Sequence, residues 1–396
     1  MPARVAFVVE RFPMLSETFV AAQAAALVHH GMAVDIFASR LEPAGLSHET
    51  VIGANLIGRT RFAQPRPHHR AADWLGRPYR LCERLRRQAT HANMADPRPY
   101  DAVLCHFGSN GLRALDAARR GRLRGPIWTV FHGYDLSQGI DAGNQPYGEL
   151  FRHGACFLPV SDYWAERLKS FGCPPERIAV HRMGVDCDAI AYRERAGEGP
   201  TQFLTVARLI EKKGVEYALR ALALLQARSP QIAWRYSIVG DGPLRPLLER
   251  LAGELGIAGR VTFHGAQPHA FVRAALDRAH VFVLPSVTAS NGDMEGIPVA
   301  LMEAMAAGLT VASSRHSGIP ELVAHGRSGM LAPERDAGAL AENLRMLAGD
   351  PALQRHLARN ARETVLRQFN NATLDRQLVS MIAGEAAGRG IERSAA

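Results

Sequence analysis

The chain has 396 residues, 47% of them hydrophobic and 21% charged, which suits a folded globular protein long enough for two cores and excludes disorder as the default. Cysteines at 82, 105, 156, 173 and 187, with no CxxC pair, exclude a disulfide framework and fit a reducing compartment. The formal net charge of +9 is most lopsided between Arg59 and Arg87, where nine arginines stand against Asp73 and Glu83 with no nucleic-acid-binding motif beside them, so no nucleic-acid partner is expected.

In chain order, the short apolar run at 4 to 8 reads as a first strand, without the long apolar region and cleavage site of a signal peptide. No stretch reaches the ~18 apolar residues of a membrane span, which places the chain in the cytoplasm. The loop RFPMLSETFV at 11 to 20 follows, where Ser16 and Glu17 either cap the next helix or contact a substrate. The segment AAQAAALVHHG at 21 to 31 is rich in good helix formers and stops at Gly31. Further apolar runs at 34 to 38, 102 to 106, 127 to 131 and 155 to 160 alternate with helix-compatible stretches, the pattern of an α/β domain with parallel strands. Between the second and third of the five runs lies the arginine-rich stretch, interleaved with Trp74, Leu75, Tyr79, Leu81 and Leu85. It reads either as a surface for an anionic membrane or as a solvated helical excursion. His132 and Asp135 in TVFHGYDL come directly after a strand. His132 there is either a satisfied strand-end histidine or a group that donates a hydrogen bond or exchanges a proton, and Asp135 and Asp162 are candidates for the same cleft.

A second series of runs, at 203 to 207, 234 to 240, 261 to 265, 281 to 285 and 309 to 313, repeats the α/β pattern. Two domains follow: 1 to 194, a linker at 195 to 202, and 203 to 375, with 376 to 396 a tail that packs back on the first domain. Ligands of such sheets gather beyond the carboxyl ends of the strands. Three strand-end segments of the second domain can carry chemistry. In VARLIEKKG, Arg208 and Lys213 either bind phosphates or solvate the surface. In SIVGDGPL, Gly240 allows a tight turn that approaches a nucleotide or is an ordinary turn. In ASNGDMEGIPVALMEAMAAG, Asn291, Gly296, Ile297 and Pro298 form a loop and helix start around Glu295. Glu303, on a mostly apolar face, needs either a basic partner or a pair of ligand hydroxyls. No metal-ligand spacing, hydrolase elbow or tightly bound cofactor signature is present.

These segments, in this order, resemble the retaining, nucleotide-sugar-dependent glycosyltransferases of family 4, whose GT-B architecture sets two Rossmann-like domains face to face. The E-x7-E arrangement from Glu295 to Glu303 carries the resemblance most specifically. It implies that Arg208 and Lys213 neutralise the donor diphosphate, that Glu303 contacts the nucleotide ribose, that Glu295 lies near the transferred sugar and that His132 faces the sugar. FPMLSETFV, LCHFGSNG and FHGYD further resemble transferases that build bacterial exopolysaccharides of the colanic-acid and amylovoran type. That narrower likeness implies transfer of a hexose, with galactose a candidate, from a UDP- or GDP-sugar to a polyprenyl-diphosphate-linked oligosaccharide at the inner face of the membrane. A nucleotide-sugar epimerase and a nonenzymatic sugar-nucleotide-binding module are the alternatives.

Overall fold

The structure, a computed structural model, describes residues 2–14, 17–43, 46, 49–63, 94–96, 98–141, 143–195 and 199–394, with side chains to 384. Ser16, Cys82 and the arginine-rich segment beyond residue 63 lie outside these.

Runs that are apolar on every residue have no face left for water, and they become parallel strands covered on both sides. The strands Ala102–His106 (β4) and Ile127–Phe131 (β5) are buried at all positions. They belong to a first sheet with Arg4–Phe12 (β1), Ala33–Leu41 (β2), Thr60–Phe62 (β3) and Cys156–Pro159 (β6). A second sheet holds Thr201–Val206 (β7), Trp234–Val239 (β8), Val261–Gly265 (β9), Val281–Leu284 (β10), Thr310–Ser314 (β11) and Met330–Ala332 (β12). The orders are β3-β2-β1-β4-β5-β6 and β12-β11-β10-β7-β8-β9, every pairing parallel. Both sheets therefore have the same doubly wound topology, and strand order reverses between β1 and β4 and between β7 and β10. Crevices open at those two points, beyond the carboxyl ends of the strands. The edge strands β3 and β12, three residues each, are too short to register as apolar runs.

Each sheet has its own apolar core. Thr201 already pairs in β7, and the last helix starts at Asn371, ahead of residue 376. That helix leaves the second domain and sets Leu378 and Ile382, both fully buried, into the core of the first. Val185 pairs with Asn370 where the chain crosses between domains.

Candidate functional site at the carboxyl ends of both sheets

The loop after β7 is held by close backbone approaches that only glycine permits. Gly240 (φ +129°) follows β8, and a Cβ there would sit 1.9 Å from the Ala207 carbonyl oxygen. Gly214 (φ +65°) would clash equally with Pro285 O. The loop 207–214 is thus wedged between the turns that follow β8 and β10. Three of its four charged residues are then stitched, one by one, to the loop after β10. Glu211 accepts from Ser290 N (2.9 Å) and Oγ (2.7 Å), Lys212 Nζ reaches Asp293 Oδ1 (3.0 Å), and Lys213 Nζ lies 2.9 Å from Glu295 Oε1. Lys212 also stands 3.8 Å from the same Glu295 oxygen. Burial works against ionisation of Glu295, but Lys213 and Lys212 outweigh it and hold the carboxyl below its usual range.

Glu295 is fixed through its backbone as well. Its amide donates to His316 Nε2 (3.0 Å) and its carbonyl accepts from Ser317 Oγ (2.8 Å). His316 is fully buried, and its Nδ1 lies 2.6 Å from Glu334 Oε1, so the ring carries its proton on Nδ1 and keeps Nε2 as an acceptor. Burial tends to raise the Glu334 carboxyl, but the Thr288 amide and His316 bring it below the usual range.

Arg208 differs from both lysines. It is exposed, and among the described residues its guanidinium makes no ion pair or hydrogen bond. Glu303, partly buried on the helix Val299–Ala306, also has no side-chain partner among them, and burial alone raises its pKa to about 7. Of its two sequence readings, the one that pairs it with a basic residue finds no such residue among those described. At the end of the same loop as Arg208, Gly214 is the N-cap of the helix Val215–Arg228, whose first amides have no acceptor within the helix.

The first domain closes over the site by backbone contact. A Cβ on Gly296 would lie 2.7 Å from the His132 carbonyl oxygen, and Met294 N donates to Ser137 Oγ (3.1 Å). His132 and Glu295 are therefore brought to one place from opposite domains. Asp135 sits beneath His132: its carboxylate accepts from the amides of His132 and Gly108, both at 2.9 Å. Burial pushes that carboxyl up to about 6, with the two amides acting the other way. Both oxygens of Asp135 are engaged by backbone, so in this state it shapes the His132 turn. The His132 ring lies between Phe19 (4.7 Å between ring centres) and Phe107 (4.6 Å), and its Nε2 is 3.1 Å from Nδ1 of the buried His106.

The other candidates are more dispersed. Glu17 occupies the N-cap position of the helix Thr18–His29 without a side-chain capping bond, and burial followed by Glu10 raises its pKa. Asp162 is exposed at a second contact between the domains. There the Glu321 carboxylate accepts from the amides of Asp162 (3.0 Å) and Tyr163 (2.9 Å), while Arg182 bridges Glu321 (2.9 Å) and Asp162 (2.5 Å). Asn291 is an exposed loop residue whose Oδ1 accepts from Asp293 N (3.0 Å). Ile297 is core, and Pro298 is the N-cap of the Glu303 helix. Three residues absent from the sequence reading belong here: His106, Lys212 and His316. His106 and His132 share a visible signal, a histidine at or one residue past the end of a mostly apolar strand run. His316 shows no more than its place in a strand-end loop. Among the described residues, no group of three His, Cys, Asp or Glu side chains is set to hold a metal, and no helix is long and apolar enough to cross a membrane.

The chain and its fold have known counterparts. Residues 16–189 match the family model described as Glycosyltransferase Family 4, and 188–364 the one described as Glycosyl transferases group 1. The chain is 40% identical to the putative colanic acid biosynthesis glycosyltransferase WcaL of Salmonella typhimurium, over 96% of this chain and 99% of that one. It is 35% identical to the amylovoran biosynthesis glycosyltransferase AmsK of Erwinia amylovora, with the same coverage. Among solved structures, Anabaena HepE in complex with UDP and glucose superposes with a TM-score of 0.74 at 20% identity, covering 96% of this chain and 100% of that one, a likeness of fold. With two Rossmann-like domains in GT-B arrangement and relatives this similar along nearly their whole length, the chain belongs to the family 4 glycosyltransferases.

Proposed function

We propose that this glycosyltransferase moves a hexose, with galactose the first to test, from a UDP- or GDP-sugar to a polyprenyl-diphosphate-linked oligosaccharide, with retention of anomeric configuration, in bacterial exopolysaccharide synthesis. The observation that carries the reading is the cluster around Glu295. A lysine pair on Glu295, an arginine with no partner among the described residues and a helix N-terminus share one loop, and Glu303, also without a described partner, follows close by in the chain. The relatives named for colanic acid and amylovoran biosynthesis support the process.

In this reading the donor diphosphate lies against Arg208, Lys213 and the start of the helix Val215–Arg228, and the ribose diol donates to Glu303. As the bond from the anomeric carbon to the diphosphate oxygen breaks, negative charge grows on the leaving group. Preorganised cations there are worth several kcal/mol, roughly 3 to 4 for one such donor. The acceptor hydroxyl adds to the same face of the sugar and its proton passes to the departing diphosphate. Glu295 orients sugar hydroxyls and sits beside the positive character of the anomeric centre, and His132 contacts the sugar from the other domain. Gly240, Gly296, Ile297 and Pro298 shape the backbone around the donor. We assign further substrate contacts to Ser16, Glu17, Asp162 and Asn291, while Asp135 supports them by shaping the His132 turn. The arginines of 59 to 87 hold the enzyme at an anionic inner membrane surface, an attachment that weakens with salt.

A panel of UDP- and GDP-hexoses, offered with defined polyprenyl-diphosphate oligosaccharides, tests the reading. Released nucleoside diphosphate and an α-linked product from an α-linked donor are expected. A new nucleotide sugar formed without acceptor would make the protein an epimerase, and tight donor binding without acceptor-dependent turnover would make it a binding module. Cosedimentation with anionic vesicles that is absent at low salt would remove the membrane role.

A further inference from the structure

His106 lies outside every role described so far, yet its position is unusual. In the β4–β5 register His106 stands opposite Val130, and the two-residue period of a strand carries His132 to the same face, one step beyond it. The two rings are nearly parallel, 19° between planes and 5.3 Å between centres, and meet edge to edge with His106 Nδ1 3.1 Å from His132 Nε2. Burial, with His181 adding to it, depresses His106 to about 3. Burial, His106 and His181 together keep His132 well below the ordinary histidine range. Both rings are therefore neutral at physiological pH, and one proton lies between the two nitrogens.

Which ring owns that proton follows from the far side of His106. Its Nε2 is buried with no hydrogen-bond partner among the described residues. If His132 donated, His106 would carry its own proton on that Nε2, as a buried N–H with no acceptor. Orphaned buried donors are the rarer and costlier defect. If His106 donates from Nδ1, its Nε2 is a bare lone pair and His132 holds its proton on Nδ1. His132 Nδ1 has no hydrogen bond among the described residues, and Phe19 and Phe107 confine the ring on its flanks.

We propose that His106 is a positioning residue that donates Nδ1–H to His132 Nε2, holds His132 as its Nδ1–H tautomer and so makes it a hydrogen-bond donor to the sugar rather than a base for the acceptor hydroxyl. The step toward the sugar rests on the transferase function proposed above; the tautomer does not.

The full chain, labelled with nitrogen-15 in its histidines, tests both parts. In the ligand-free protein the His132 ring signals, identified by their loss in His132→Gln, are expected to show Nδ1 protonated and Nε2 bare across neutral pH. His106→Phe fills the space without a donor. It should lose that tautomer and lower kcat on the order of 10²-fold, with donor KM nearly unchanged. His106→Asn keeps an N–H near the Nδ1 position and should retain the tautomer and most of kcat, a rescue that packing alone does not predict. A protonated Nε2 in the wild type, an unchanged tautomer in a folded His106→Phe, or an Asn variant no better than Phe would overturn the proposal. Absence of transfer by the wild type would instead overturn the function, with the ligand-free tautomer still decided by the spectra.

Discussion

Glu303→Gln should stabilise the ligand-free protein and cripple its use of donor, and the two effects have one origin. Burial, with no described partner to offset it, moves the Glu303 carboxyl from an ordinary 4.5 to about 7. Between those values the folded chain holds a proton that the unfolded chain has released. The unfolded state then binds fewer protons, so stability falls as pH rises from about 4.5 to about 7 and stays low above it. At ~1.4 kcal/mol for each pH unit, the loss amounts to up to about 3 kcal/mol. Glutamine has nearly the same shape and no charge, so it escapes this loss. Urea titration read by hydrogen exchange in the helix Val299–Ala306 should find the variant more stable than wild type by up to about 3 kcal/mol above pH 7, with the difference vanishing near pH 4.5. Donor affinity should meanwhile fall roughly 10- to 100-fold, the worth of hydrogen bonds to a charged acceptor. Equal pH dependence in both proteins, or a variant less stable above pH 7, would refute the account of Glu303 as a carboxylate kept buried for a ligand.

Wild-type binding of nucleoside diphosphate just below pH 7 should release a proton as Glu303 ionises to accept the diol, seen by calorimetry as a binding heat that depends on buffer ionisation; no dependence would deny the contact. Arg208→Ala should change stability by no more than about 0.5 kcal/mol, because the side chain is exposed and has no described partner, and slow turnover roughly 10²-fold. Lys213→Ala should slow turnover similarly and also cost about 3 kcal/mol, since Glu295 would keep no cation closer than Lys212 at 3.8 Å; paired denaturation and kinetic measurements separate the two variants. Gly240→Ala should cost about 3 kcal/mol or more in urea unfolding, because φ is +129° and the new Cβ meets a backbone carbonyl that cannot move aside. A well-folded Gly240→Ala protein with normal donor use would show that the turn is not under that constraint.

All strands but the three-residue edges β3 and β12 were legible, because parallel strands buried on two faces must be apolar at nearly every residue, as at 102 to 106, 127 to 131 and 281 to 284. Their glycine-marked ends were legible for a related reason: a close approach such as that of Gly240 to Ala207 removes every other side chain. Glu295 and Glu303 stood out through their spacing in one short segment. What a charged neighbour does was not legible in the same way. In EKKG the sequence singles out Lys213, yet Lys212 reaches Asp293 and Glu295 too, because the turn aims both side chains at a loop that returns only after some 80 residues of intervening chain. Asp135 and Asp162 illustrate the same limit. One is taken by two backbone amides, one of them from Gly108 on another strand end, and the other by an arginine at the domain contact.

Sequence by itself therefore determined the two α/β halves, most of their strand ends and which charged residue types stand at the strand ends of the second half, since periodicity, glycine placement and short spacing are properties of contiguous chain. Tertiary structure alone decided that His316 holds the Glu295 backbone, that His106 meets His132, and that the final helix joins the two halves by burying Leu378 and Ile382 in the first. Those contacts connect segments that are distant along the chain, and the partner of a buried polar atom is set by which strand ends the sheet order brings side by side.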